Sequence, residues 1–233
     1  YDEALDYFKE ALSVLENSTR FIAFKKAQEK NKIVYEGAAI GVASQHHLIA
    51  SLFLKWGQYD LALEECFIAN SILNIIIEKS ELKINHSSII RAKKNLGENL
   101  SLQTSINIKL KKFEEALVQS RTASQLLKNW PYALVHHIEV ESDLYSAQEK
   151  LYLALESLDR GLKICDIEGL DLFRISLLQK KLDLLKANKL ERSALDIAEL
   201  INIDKSMIQK ERMASLFDDI EHKAELVLRK EQL

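Results

Sequence analysis

The sequence predicts an all-α fold, and three observations carry that prediction. Apolar residues recur at the three- and four-residue spacing of an amphipathic helix along nearly all of the 233 positions. Only 6 glycines and 1 proline occur, too few for the frequent tight turns of an all-β chain. Leu, Ile, Ala, Glu and Lys dominate, and these are mostly good helix formers. Apolar residues make up 47% and charged residues 29%, the balance of a globular chain with a substantial core.

Helices are expected at about 1–16, 19–34, 38–56, 59–80, 88–110, 113–129, 131–148, 151–165, 171–187, 190–202 and 205–231. The breaks between them have local causes. Asn17-Ser18-Thr19 offers caps, and Asn85-His86-Ser87-Ser88 offers a turn with an N-cap. The stretch from Tyr35 to Gly41, with two glycines, is the weakest helical segment. Pro131 suits a first helical turn, where its missing N–H has no partner to lose. Gly169 suits the position just past a helix, and Asp171 is expected to cap the next one. Ser206 with Gln209 has the spacing of a capping box for the last helix.

A figure repeats inside this pattern. In WGQYDLALEECFIAN a tight turn, Gly57-Gln58, precedes Tyr59, Ala62, Cys66 and Ala69 on one helical face. The same spacing gives Tyr1, Ala4, Phe8 and Ala11, then Phe113, Ala116, Ser120 and Ala123. Degraded copies follow at Leu151, Ala154, Leu158, Gly161 and at Leu190, Ser193, Ile197, Leu200. The anchors stand 58, 54, 38 and 39 residues apart. One helix and a short turn precede each anchor from Tyr59 onward, so the unit is a helix hairpin. Small residues at these positions let two helices approach closely while the aromatic fills the gap.

This arrangement resembles the tetratricopeptide repeat over about residues 1–202, with 203–233 left as a capping or connecting helix. LIASLFLKWGQYDLALEECFIA matches best: Ala50 takes the small place on the first helix, Gly57 the turn, and Tyr59, Ala62 and Ala69 the second helix. SINIKLKKFEEALVQSRTA follows, with Thr104 in the small place and Lys111 where glycine is expected. In the last copy Lys181 falls where a small residue is expected. The units exceed the family's period of about 34 residues, which implies longer or extra helices. The resemblance implies a right-handed superhelical solenoid of antiparallel hairpins, whose first helices line a concave groove that binds a protein or peptide. Projecting the first helices outward gives candidate groove residues on each. They are His47, Ser51 and Lys55; then Glu98, Ser101, Ser105 and Lys109; then His136, Glu139 and Asp143.

Other chemistries find little footing. A net charge of −3 with both signs interspersed offers no basic field for a phosphate backbone, so nucleic acid is not an expected partner. Cys66 and Cys165 read as small buried hydrophobes. Asn17, Asn85 and Asn99 each begin a glycosylation triplet, which without a secretion signal reads as chance. No signal peptide and no apolar run near the length of a membrane span is apparent, which predicts a cytoplasmic protein without a membrane contact. The neighbours in His46-His47 and His136-His137 point about 100° apart on a helix, so neither pair can chelate from one face. Glu64-Glu65, Glu114-Glu115 and Asp218-Asp219 read as solvated surface. No catalytic constellation, metal site or cofactor motif is found, and a non-enzymatic module is expected.

The tail differs from the rest. Met213, Leu216, Phe217, Ile220, Ala224 and Val227 form one apolar stripe among dense charges, suited to docking on the last hairpin or to homodimer pairing. A charged helix leaving such an array is similar to the connector of bacterial sensor proteins, where a diguanylate cyclase or histidine kinase domain follows. The chain begins inside a motif without Met, so it is read as a segment of a longer signalling protein.

Overall fold

The computed structural model describes residues 36–78 and 86–231, together with Glu3, Asp6, Tyr7, Lys9, Glu10, Ser13, Val14, Asn17 and Ile22. At 36, at 211 and from 215 onward it is the helical backbone that is described. The opening motif, the expected helix 19–34 and the turn before His86 therefore fall, apart from those scattered positions, outside the described residues. Every regular element among the described residues is an α-helix. They are α1 (Glu36–Lys55), α2 (Tyr59–Glu78), α3 (His86–Lys109), α4 (Phe113–Leu127), α5 (Pro131–Ala147), α6 (Leu151–Glu168), α7 (Asp171–Ala187) and α8 (Glu191–Glu231).

Five of the turns are built alike. Gly57, Lys111, Glu149, Gly169 and Lys189 all have positive φ, between 59° and 74°. The residue after each donates its N–H five residues back: Gln58 to Phe53, Lys112 to Asn107, Lys150 to Tyr145, Leu170 to Cys165 and Leu190 to Leu185, at 2.8–3.0 Å. That is the Schellman closure, which satisfies the last carbonyls of the outgoing helix. The same residue then accepts the first bond of the next helix, as Gln58 does from Ala62 and Lys112 from Ala116. Glycine takes this backbone without strain at Gly57 and Gly169, whereas Lys111, Glu149 and Lys189 hold it at about 1–2 kcal/mol each. The α4–α5 connection is different. Lys128 stays right-handed, and Pro131 opens α5 where its ring is tolerated.

The turn geometry moves the last repeat by one residue. Each second helix begins two residues after the positive-φ position, so the anchor that follows Lys189 is Glu191 and not Leu190. The face then runs through Ala194 and Ile201, 5% and 4% exposed, whereas Leu190 and Leu200 stand 42% and 39% exposed. The same shift puts buried Leu182, not Lys181, in the place of Ala50, Thr104 and Ser142, all three of which are buried. Lys181 instead turns outward and pairs with Asp159.

Two units make up the chain, residues 1–157 and 158–233. In the first, α1 packs on α2, α2 on α3, and α3 on α4; α3 also lies against both α1 and α5, and α4 packs on α5. α1 and α3 thus each touch their own hairpin partner and the first helix of the next hairpin. The small residues lie at these contacts, Ala62, Ala69, Ala116 and Ala123 being fully buried. One apolar cluster joins Ile40, Leu73, Ile76 and Leu96, and a second joins Ile49, Phe53, Cys66 and Ile106, with Tyr59 and Trp56 packed against it. Gly97 lets α3 meet α4 closely, because a Cβ there would come within 2.7 Å of Leu127 Cγ.

In the second unit α7 packs on α8. Arg174 bridges Asp166 of α6, at 2.8 Å, and Asp204 of α8. The break expected near 203–204 is absent, and Ser206 with Gln209 caps nothing, since α8 runs unbroken through them. No glycine or proline interrupts 191–231, and Asp204, a candidate breaker, has its carboxylate engaged by Arg174. Asp171 likewise is the first residue of its helix, while Leu170 stands at the cap. The tail stripe beyond Met213, from Leu216 to Val227, lies outside the residues whose side chains are described.

One further expectation is revised. The helix Gly37–Lys55 is long and apolar enough, by length and composition, to cross a membrane. In this fold it carries His46 and His47, which hydrogen-bond to α2 and α3, and it forms part of both apolar clusters.

Candidate functional site

Because α1, α3 and α5 lie side by side, their outward positions share a face. A cavity of about 310 Å³ opens on it, lined by His47 and Ser51 of α1, by Glu98, Ser101, Leu102 and Ser105 of α3, and by Ala133, His136 and Val140 of α5. Six of the ten candidate groove residues therefore meet at one place. Lys55, Lys109 and Asp143 are exposed and Glu139 half-buried, and none of these four lines the cavity. Lys55 and Lys109 continue the ridges of Ser51 and Ser105 by one helical turn. A smaller hollow of about 170 Å³ adjoins, sharing His47 and Glu98.

Ser101 departs from expectation. It is buried, because its hydroxyl turns to His137 Nδ1 at 2.9 Å. His137, with no exposed surface, places Nε2 2.9 Å from the Ser120 carbonyl oxygen. That carbonyl can only accept, so Nε2 carries the proton, and Nδ1 of the neutral ring accepts from Ser101. The ring thus joins α3, α4 and α5.

Each histidine pair splits between interior and groove. His46 is buried and donates from Nδ1 to Glu65 Oε2 at 2.6 Å. Glu65 is consequently half-buried and paired, not the solvated carboxylate expected for the Glu64-Glu65 pair. His47 faces the other way and donates from Nδ1 to Asn99 Oδ1 at 3.1 Å. His136 stands exposed at the cavity while His137 is enclosed. Among the described residues no three His, Cys, Asp or Glu side chains come together as a metal site.

Asn99 organises the inner wall. Its amide donates to the Cys66 carbonyl at 2.8 Å and to Asn70 Oδ1 at 2.7 Å while its oxygen holds His47. It belongs to a stripe of amides four residues apart on α3: Asn95, Asn99, Gln103 and Asn107. Asn95 reaches Ser44, Gln103 accepts from Asn70, and Asn107 reaches Gln119. The spacing is visible in the sequence as a period-four run of polar residues, but a polar run by itself does not distinguish an inward stripe from an outward one. Asn99 is fully buried, so it is no glycosylation acceptor in the folded chain. Cys66 and Cys165 are buried and in no disulfide, and burial pushes the Cys66 thiol well above its ordinary range, helped by the nearby Glu65 charge.

Burial also holds His47 below its ordinary value of 6.5. The Asn99 hydrogen bond and the Glu98 charge oppose this depression, and the His136 ring adds to it. Below 6.5 the unfolded chain takes up a proton on this ring more readily than the folded one, so stability is complete above that pH and falls beneath it. The parent protein should therefore lose more melting temperature between pH 7 and pH 5 than His47→Gln does. Parallel pH profiles would remove His47 as a source of acid sensitivity.

The arrangement can bind and orient a guest, with serine hydroxyls, one carboxylate and two imidazoles around a partly apolar hollow. Glu98 is the one carboxylate among the residues lining the cavity, and Ser101 is the one lining hydroxyl held by an imidazole, that of His137. Compared with known proteins, the chain matches no family model and no curated protein, so its function is read from this geometry.

Proposed function

We propose that the face formed by α1, α3 and α5 is a non-enzymatic docking surface for an extended segment of a partner protein, on a hairpin stack of the tetratricopeptide type. The observation that carries this reading is the convergence of His47, Ser51, Glu98, Ser101, Ser105 and His136, drawn from three successive first helices, on one cavity. The packing of α1 and α3, each on its partner and on the next first helix, supports the solenoid, as do the buried alanines and the shared turn geometry. In a longer signalling chain such a face would serve as regulatory input. The uninterrupted α8 would carry the effect onward.

Lys55 and Lys109 offer the direct test. Both are exposed at equivalent places on successive hairpins, one turn beyond the cavity. Lys55→Glu with Lys109→Glu should weaken, at least tenfold by calorimetry, an acidic peptide selected on the parent protein. Stability should stay within about 0.5 kcal/mol, as is usual for exposed changes. Equal binding by parent and double mutant would move the docking surface off this face.

A further inference from the structure

We propose that the 310 Å³ cavity takes a lysine or arginine side chain of the docked partner segment, recognised by a lining that offers acceptors. This rests on the docking reading above and names the guest of its central cavity.

The protons of the lining hydroxyls are already in use within the protein. Ser51 Oγ donates to the His47 carbonyl at 2.9 Å, and Ser105 Oγ to the Ser101 carbonyl at 3.4 Å. Ser101 Oγ donates to His137 Nδ1 at 2.9 Å. Ser51 and Ser101 therefore present lone pairs to a guest, and Ser105, held by a longer contact, can accept as well. His47 uses Nδ1–H on Asn99, and burial keeps the ring neutral at pH 7, so its remaining nitrogen, Nε2, is an acceptor. Glu98 is the one carboxylate of the lining. Lys94 sits 2.9 Å from Glu98 Oε1 in a half-exposed contact and engages one of its two oxygens. His136, exposed at the lip, is the side chain of the lining that brings N–H donor capacity.

A guest that suits four neutral acceptors and a carboxylate is rich in donors and positively charged. An ammonium brings three N–H groups and a guanidinium five, and neither accepts. A carboxylate or phosphate guest would meet lone pairs at His47, Ser51, Glu98, Ser101 and Ser105. The walls fit the rest of such a side chain, since Leu102, Ala133 and Val140 offer apolar surface for the methylene stem. The volume lies at the small end of ligand cavities, right for one side chain rather than a whole metabolite. Lys55 and Lys109 lie outside it, so a partner with a basic residue in the cavity and acidic residues one turn away satisfies both.

The test uses acetylated, amidated pentapeptides Ala-Ala-X-Ala-Ala, with X as arginine, lysine, citrulline, norleucine or glutamate, and free argininamide alongside. Nuclear magnetic resonance titration of the full chain reads both affinity and place. The arginine or lysine peptide should shift the Ser51, Glu98, Ser101 and Ser105 amides, and citrulline or norleucine should weaken binding at least tenfold. Glu98→Gln should weaken the basic peptide by a similar factor. Glu114→Gln, on an exposed part of α4 and equal in net charge, should not. Norleucine or glutamate binding as well as lysine at those amides would overturn the basic guest while leaving the docking face standing. Shifts at those amides by no peptide at all would overturn both. Argininamide binding as tightly as the arginine peptide would overturn a partner segment as the source.

Discussion

Asn99→Leu should destabilise the protein by about 3 kcal/mol or more, since each buried hydrogen-bonding group left unpaired costs roughly 1–3 kcal/mol. Leucine keeps the branching and the number of side-chain heavy atoms, so the loss is chiefly one of hydrogen-bond partners. Two groups lose their partner, Asn70 Oδ1 and the His47 Nδ1–H, and the mid-helix Cys66 carbonyl loses its second donor, all of which Asn99 now serves from a site with no exposed surface. Water cannot easily replace it there, because α1, α2 and α3 close around the position. Denaturant unfolding should show the midpoint falling at an unchanged slope, the signature of lost stability rather than altered compactness. Asn95→Ala is the comparison, since half-buried Asn95 holds only the Ser44 hydroxyl, and its loss should be about 1 kcal/mol or less. A change below 1 kcal/mol for Asn99→Leu would mean that the amide stripe is incidental to the packing.

Ala62→Leu and Ala116→Leu should each cost roughly 1–3 kcal/mol, by the opposite mechanism of overpacking. Both alanines have no exposed surface and stand three residues into a second helix. Ala62 sits in the cluster with Phe53, Cys66 and Ile106, where three more carbons have no void to enter. To fit them, α1 and α2 must separate or neighbouring side chains must leave their rotamers. The penalty should appear as a lower melting temperature. The same change at Val118, exposed on α4, should be nearly silent. Melting temperatures unchanged by both alanine substitutions would remove the close-packed hairpin as the organising unit.

Much of this was legible because it depends on local chemistry. Period-3.6 patterning, alanine spacing and turns at Gly57, Lys111, Glu149 and Gly169 are properties of neighbouring residues, and they set seven helices to within a few positions. The last repeat was harder. Leu190 and Glu191 differ by one place, and only the left-handed backbone at Lys189 tells which begins the helix. The fusion of the two expected tail helices into α8 was hidden for a similar reason, because the ion pair of Asp204 with Arg174 comes from another helix.

The sequence by itself determined that first helices would present His47, Ser51, Glu98, Ser105 and His136 outward, since helical geometry alone orients positions relative to a buried stripe. Tertiary structure alone decided which member of each histidine pair would be enclosed, and it drew Ser101 inward to His137. It also paired Glu65 with His46. A helix sets the angle between its side chains, but the depth of each depends on how closely a second helix approaches. That approach is set by Gly97, Ala62 and Ala116 on other elements. The acceptor character of the cavity has the same origin. A serine or imidazole has donor and acceptor capacity in any sequence, and only its partners across the helix contacts determine which is left for a guest.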